Sequence, residues 1–172
     1  MKKINTTELP AVALTAGEQI LFSGDIITAR DAAHVRLCAM LDADEPLPLD
    51  LHGAILYYAG PTPTPAGQII GSCGPTTAER MDAFTPQLLR QGVIATIGKG
   101  ARGQAVIDVI IETQSLYLCA VGGAGALLAQ CVTACETIAF PELGCEAMRR
   151  LTVHDMPLIV GVDRCGKSIF SS

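Results

Sequence analysis

Between residues 93 and 139 the chain alternates short apolar runs with segments of helical periodicity: "VIATIG", "ARGQAVIDVIIET", "LYLCAVGG", "AGALLAQCVTA" and "ETIAFP". Strand-length runs that hand over to helices, one after another, predict parallel β–α–β units with helices covering the sheet. The same grammar runs upstream, where "EQILFSG", "GAILYYAG" and "QIIGSCG" read as strands. "TARDAAHVRLCAMLDA" reads as a helix opened by Thr28, with Asp31 three residues on. "TTAERMDAFTPQLLRQG" reads as another, with Met81, Phe84, Leu88 and Leu89 on its buried stripe and Gly92 as its stop. The end of the chain changes character. "MRRLTVHDMPLIVGVD", "RCGK" and "SIF" read as two or three strands joined by tight turns, so the sheet is mixed. The expected fold class is α/β: a polar, irregular segment over residues 1–16, then one domain over 17–172 with a mixed sheet and flanking helices.

Composition narrows the function classes. Apolar residues make up 49% of the 172 and charged residues only 17%. Such a surplus points either to a buried interface with a partner or a second copy, making an oligomer, or to Ala-rich helices packed on a dense core. The net charge of −5 argues against nucleic acid, which selects clustered basic surfaces. No basic segment followed by an apolar one opens the chain, and Gly and Gln130 break its longest apolar run. A secretory leader and a membrane span are therefore not expected, and a cytoplasmic protein is. The seven cysteines form no CxxC pair and mostly sit in apolar runs, as small hydrophobes do. Cys131 and Cys135 could share a helix face. The close spacing of iron–sulfur ligands is missing, so no metal is assigned to this chain.

Three strand-to-helix junctions each carry a cation: Arg30 in "SGDIITARD", Arg80 in "GPTTAER" and Lys99 in "IGKGARG". A helix N-terminus offers unpaired N–H groups and the positive end of its dipole. Junctions of this kind converge at the carboxyl ends of parallel strands, where open α/β sheets bind ligands. A cation in a first helical turn opposes the dipole, so Arg30 needs another reason to be there. An acidic chain that concentrates cations at these places suits a small polyanion. Arg80 reads equally as a surface ion pair, and Gly-Lys-Gly equally as a plain turn. Thr76, with Glu79 three residues on, has the form of a capping box. His34, His52 and His154 read as structural or exposed. "VGGAGALL" reads as a tight packing junction, not a dinucleotide site.

The motifs "SGDIITARDAAH", "GPTTAERMD", "IGKG", "VGGAGALLAQ" and "IAFPELGCEAMRRLTVHDMPLIVGVD", in this order, resemble the C-terminal (β) portion of the class I, iron–sulfur fumarases and of L-tartrate dehydratase. The resemblance implies a swivelling β/β/α domain and reversible hydration of a four-carbon dicarboxylate, fumarate to L-malate. It implies that a separate α subunit holds a 4Fe-4S cluster with one iron open to substrate as a Lewis acid. It implies Thr76 as catalytic base, with Arg30, Arg80 and Lys99 binding substrate. The chain is then the β subunit of a two-chain hydro-lyase, inactive alone. "EAMRRLTVHDMPLIV" looks closer to fumarase than to tartrate dehydratase. Dehydration of tartrate or another 2-hydroxy dicarboxylate is the alternative, and a non-catalytic anion- or partner-binding domain is a third reading.

Overall fold

In the computed structural model, which describes residues 1–170, the parallel strands are β1 (Lys2–Asn5), β2 (Gln19–Thr28), β3 (Ile55–Tyr57), β4 (Ala95–Gly98) and β5 (Leu116–Cys119). Helices α1 (Asp31–Asp42), α2 (Thr85–Arg90), α3 (Gln104–Thr113) and α4 (Gly125–Ala129) lie in the crossovers and after β5. Two antiparallel strands follow, β6 (Val132–Ala139) and β7 (Met148–Val162). One edge of β7 pairs with β2 and its other edge with β5 and β6. That closes β2, β3, β4, β5 and β7 into a ring, with β1 and β6 extending it. The result is the expected single mixed α/β domain with flanking helices.

Period-two side-chain alternation makes two cores from one sheet. Ile55, Tyr57, Ala95, Ile97, Leu116, Leu118, Leu158 and Val160 point into the ring. Their neighbours Leu56, Tyr58, Tyr117, Cys119 and Val162 face outward and meet Leu37, Leu88, Val106 and Ile110 of the helices. Each buried Leu or Ile contributes roughly 1.5–3 kcal/mol. The carboxyl ends of β2 to β5 are therefore held in one rigid layer.

Several local expectations are corrected. Residues 2–5, expected to be irregular, add β1 to the sheet edge. Thr28 ends β2 instead of opening α1, and its hydroxyl accepts from Arg149 N (3.0 Å) across the sheet. "QIIGSCG" forms no strand. Its amides turn elsewhere, Ser72 N to Thr62 Oγ1 (2.9 Å) and Cys73 N to Gly125 O (3.0 Å). A Cβ on Gly125 would stand 2.4 Å from Ser72 Oγ and 2.9 Å from Gly74 N, so the glycine junction is a close backbone approach. The helix expected over 76–92 breaks into a 3₁₀ turn (Ala78–Met81) and α2, because Pro86 can enter only a first turn. The helix expected over 124–134 ends at Ala129, so Cys131 and Cys135 share no helix face. The strands expected after 147 are one 15-residue strand, and Asp155, at φ +50°, kinks it without ending it.

His34 lies wholly buried on α1, edge-on to Tyr58 with ring centroids 5.3 Å apart. Nδ1 stands 2.9 Å from Arg30 O and donates to it, while Nε2 has no partner. Burial pulls its pKa down from 6.5 to about 4, so the folded protein holds a neutral ring. The unfolded chain takes up a proton below pH 6.5, so this contribution is complete above that value and is lost as pH falls toward 4. Between pH 7.5 and 5.5 urea denaturation should show a loss of about 1 kcal/mol, and His34→Gln should remove most of that slope.

Candidate active site

At their carboxyl ends β3 and β4 separate, and residues 76–78 enter the gap. Tyr58 N still reaches Ile97 O (2.8 Å), but Tyr58 O accepts from Thr76 N (2.6 Å). Thr76 O accepts from Lys99 N (3.2 Å), and Lys99 O from Ala78 N (2.8 Å). Two sequence-distant candidates, Thr76 and Lys99, are thus backbone neighbours at one strand end. Thr76 does not form the expected capping box. Thr77, not Thr76, precedes the 3₁₀ turn, and no side chain caps it. Lys99 sits exposed just after β4 and lies over Gly122. It is not at a helix start, since α3 begins only at Gln104.

Arg30 and Arg80 meet on one carboxylate. Asp31 Oδ1 accepts from Arg80 Nε (3.0 Å) and lies in ion-pair contact with its Nη2 (2.9 Å), while Oδ2 faces Arg30 Nε (3.3 Å). Glu146, in the 3₁₀ segment Pro141–Glu146, adds a second carboxylate 3.2 Å from Arg30 Nε. The same oxygen accepts from Ala32 N (3.4 Å), supplying the cap that α1 lacks. The dipole penalty on Arg30 is therefore offset by two acids. Burial works to raise the Asp31 pKa, but its backbone N–H and the two guanidiniums outweigh that and hold it below the usual range. Arg80 remains 53% exposed at the side chain and Arg30 25%. Gly60 gives Arg30 its room: a Cβ there would stand 2.9 Å from Arg30 Cδ. Arg149 braces the loop that carries Glu146 by donating to Gly144 O (2.8 Å) and Ala147 O (3.1 Å).

Beneath this surface lies a group that the sequence did not reveal. Arg102, with its side chain fully buried, pairs through Nε with Asp82 Oδ1 (2.7 Å). Its other nitrogens donate to Thr85 Oγ1 (2.7 Å), Tyr58 Oη (3.1 Å) and Thr96 Oγ1 (3.2 Å). Asp82 Oδ2 also accepts from Gly103 N (2.6 Å). Burial opposes the charge on Arg102, and Tyr58 and Asp82 more than restore it. Arg102 ties the loop bearing Lys99 to the 3₁₀ turn bearing Arg80. Asp82 is 20 residues away, so no local pattern marked the pair.

The cysteines do not fit a metal cluster. Burial raises Cys38 to about 11 and Cys73 to about 12, and it also raises Cys119, Cys131 and Cys135. Such thiols favour the protonated form, whereas ligands must be thiolates. Among the described residues no group of three or more His, Cys, Asp or Glu side chains could hold a metal ion. His52 and His154 are exposed. No helix of the described residues is long and apolar enough to cross a membrane.

Residues 2–172 match the family described as fumarase C-terminus. The chain is 39% identical over 157 residues to fumarate hydratase 2 of Leishmania major, covering 90% of this chain and 28% of that protein. It is 40% identical over 154 residues to the aerobic class I fumarate hydratase of Escherichia coli K12, covering 88% and 28%. The chain thus spans little more than a quarter of the length of these relatives. A Methanocaldococcus jannaschii protein with the provisional name L(+)-tartrate dehydratase subunit beta is 36% identical over 163 residues, covering 91% of this chain and 84% of that one.

Arg102→Met should destabilise the fold by about 3 kcal/mol or more, because the half-buried Asp82 loses its counter-charge and the buried hydroxyls of Tyr58, Thr85 and Thr96 lose their donor. Arg102→Lys should recover only part of this, since an ammonium cannot reach all the acceptors of a planar fork. Chemical denaturation of the two variants against the parent checks both.

Proposed function

The chain belongs to the fumarase C-terminus family, and we propose that it is the β subunit of a two-chain hydro-lyase that interconverts fumarate and L-malate. One observation carries the reading: Arg30 and Arg80 already converge on a carboxylate, that of Asp31, at the strand ends where Thr76 and Lys99 are neighbours. A pair of guanidiniums that holds a carboxylate of the chain itself has the chemistry to hold one of a substrate.

In the dehydrating direction Thr76, its hydroxyl proton lost to solvent, takes up as alkoxide the proton from the carbon next to the hydroxyl-bearing carbon. The C–H electron pair moves into the adjacent carboxylate and then returns to form the double bond as hydroxide leaves. A threonine hydroxyl is a poor base, so it needs cations nearby. Lys99 and the arginines supply that field and stabilise the aci-carboxylate that develops. The 4Fe-4S cluster belongs, in this reading, to a partner α subunit that corresponds to the remaining length of the longer fumarases. The protonated cysteines of this chain support that assignment. Its free thiols also fit a reducing compartment, which we take to be the cytoplasm. The subunit-sized tartrate dehydratase relative favours a second reading in which L-tartrate is the substrate.

The deciding experiment is anaerobic co-expression with a cluster-bearing α chain, iron and sulfide reconstitution, and side-by-side assay of fumarate and L-tartrate. Turnover by the complex and not by the isolated chain is expected. A stable, cluster-loaded complex inert toward both acids would leave an anion- or partner-binding domain. Within the active complex, Thr76→Ala should abolish turnover while leaving thermal stability unchanged, because Thr76 caps no helix. Near-normal turnover would remove it from the chemistry. Arg80→Lys should raise KM at least tenfold, to order of magnitude, by breaking a two-pronged contact. Unchanged KM and kcat would place Arg80 outside the site.

A further inference from the structure

We propose that Asp31 is a positioning residue for substrate binding: its carboxylate sets the spacing and the facing edges of the Arg30 and Arg80 guanidiniums. The inference rests on the reading of those arginines as substrate ligands. Asp31 opens α1, where a negative charge is favoured by the helix dipole. Its two oxygens are divided between the two arginines, Oδ1 on the Nε–Nη2 edge of Arg80 at 3.0 and 2.9 Å and Oδ2 on Nε of Arg30 at 3.3 Å. Glu146 holds Arg30 Nε from the far side at 3.2 Å. These contacts leave the Nη1 edge of Arg80 and the terminal nitrogens of Arg30 free of the acids.

A long, half-exposed arginine loses rotamer freedom when it is fixed. Arg80 has no other ion-pair partner among the described residues, so without Asp31 the substrate itself has to order its side chain. With Asp31 the arginine is ordered before substrate arrives, which lowers the entropic cost of binding. Asp31 also keeps two like charges close together at the strand ends, where they otherwise repel. Its fixed place on the helix, immediately after Arg30, makes the arrangement a property of the fold.

The test uses the assembled, active complex with Asp31→Asn and Asp31→Glu. KM for the preferred acid is read beside kcat, and binding of succinate, an unreactive four-carbon diacid, is read by calorimetry. Asp31→Asn should weaken both KM and succinate affinity about tenfold with kcat within about twofold, the signature of lost ground-state binding. Asp31→Glu, which keeps the carboxylate, should restore most of the loss. A fall in melting temperature with unchanged KM and succinate affinity overturns the proposal and leaves Asp31 as a helix-start acid. Tighter binding in Asp31→Asn also overturns it, making Asp31 a competitor for the arginines. Arg80→Lys and Arg30→Lys in the same assay separate the two layers. If they weaken binding and Asp31→Asn does not, only the positioning role fails. If neither weakens it, the assignment of the arginines fails as well.

Discussion

The buried pair of Arg102 and Asp82 is the contact on which the strand-end layer depends. It joins the loop after β4 to the turn before α2, and Tyr58, Thr85 and Thr96 complete its hydrogen bonds. A charge with no exposed side-chain surface is costly unless every donor is matched. Here the matching partners come from the residue after β3, from β4 and from the start of α2, so the pair can form only when those elements are in place. Thr76 and Lys99 sit just above, joined by backbone bonds alone. The exposed cations are thus carried on segments clamped from below.

Sheet topology supplies the other half of the placement. Four parallel strands, β2 to β5, bring their carboxyl ends to one level, and β7 closes the ring antiparallel behind them. Closure removes the free edges that a short parallel sheet would leave. It also frees the strand ends to diverge locally, and the gap between β3 and β4 admits residues 76–78. A threonine hydroxyl delivered there needs no helix of its own. This explains why Thr76, which has the sequence form of a capping box, caps nothing: its backbone is already committed to Tyr58 and Lys99 on either side.

Strands β3, β4 and β5 were legible because each is a short apolar run that ends at or near glycine, and periodicity of that kind survives folding. Arg30, Arg80 and Lys99 were legible as cations at strand ends, although only Arg30 stands at the start of an α-helix. What stayed hidden depended on contacts distant in sequence. "QIIGSCG" has the composition of a strand, yet its amides are claimed by Thr62 and Gly125. Residues 124–134 follow a helical pattern, yet pairing with β7 draws 132–134 into β6. Asp31 read as the capping partner of Thr28, and nothing local showed that it bridges two arginines. Arg102 stood three residues from Lys99 and was overshadowed by it.

The strand-end surface carries more positive charge than an acidic chain needs for its own stability. Arg30 has two acids against it, Arg80 shares one of them, and Lys99 has no ion-pair partner among the described residues. Ion pairs as exposed as that of Arg80 contribute about 1 kcal/mol or less, so stability does not account for the arrangement. A small dianion, desolvated between these side chains and a second protein surface, would gain far more from them than water-exposed acids do. In the proposed two-chain enzyme the open face and the concentrated charge belong together: this chain orders the cations, and enclosure by the α subunit would give them their strength.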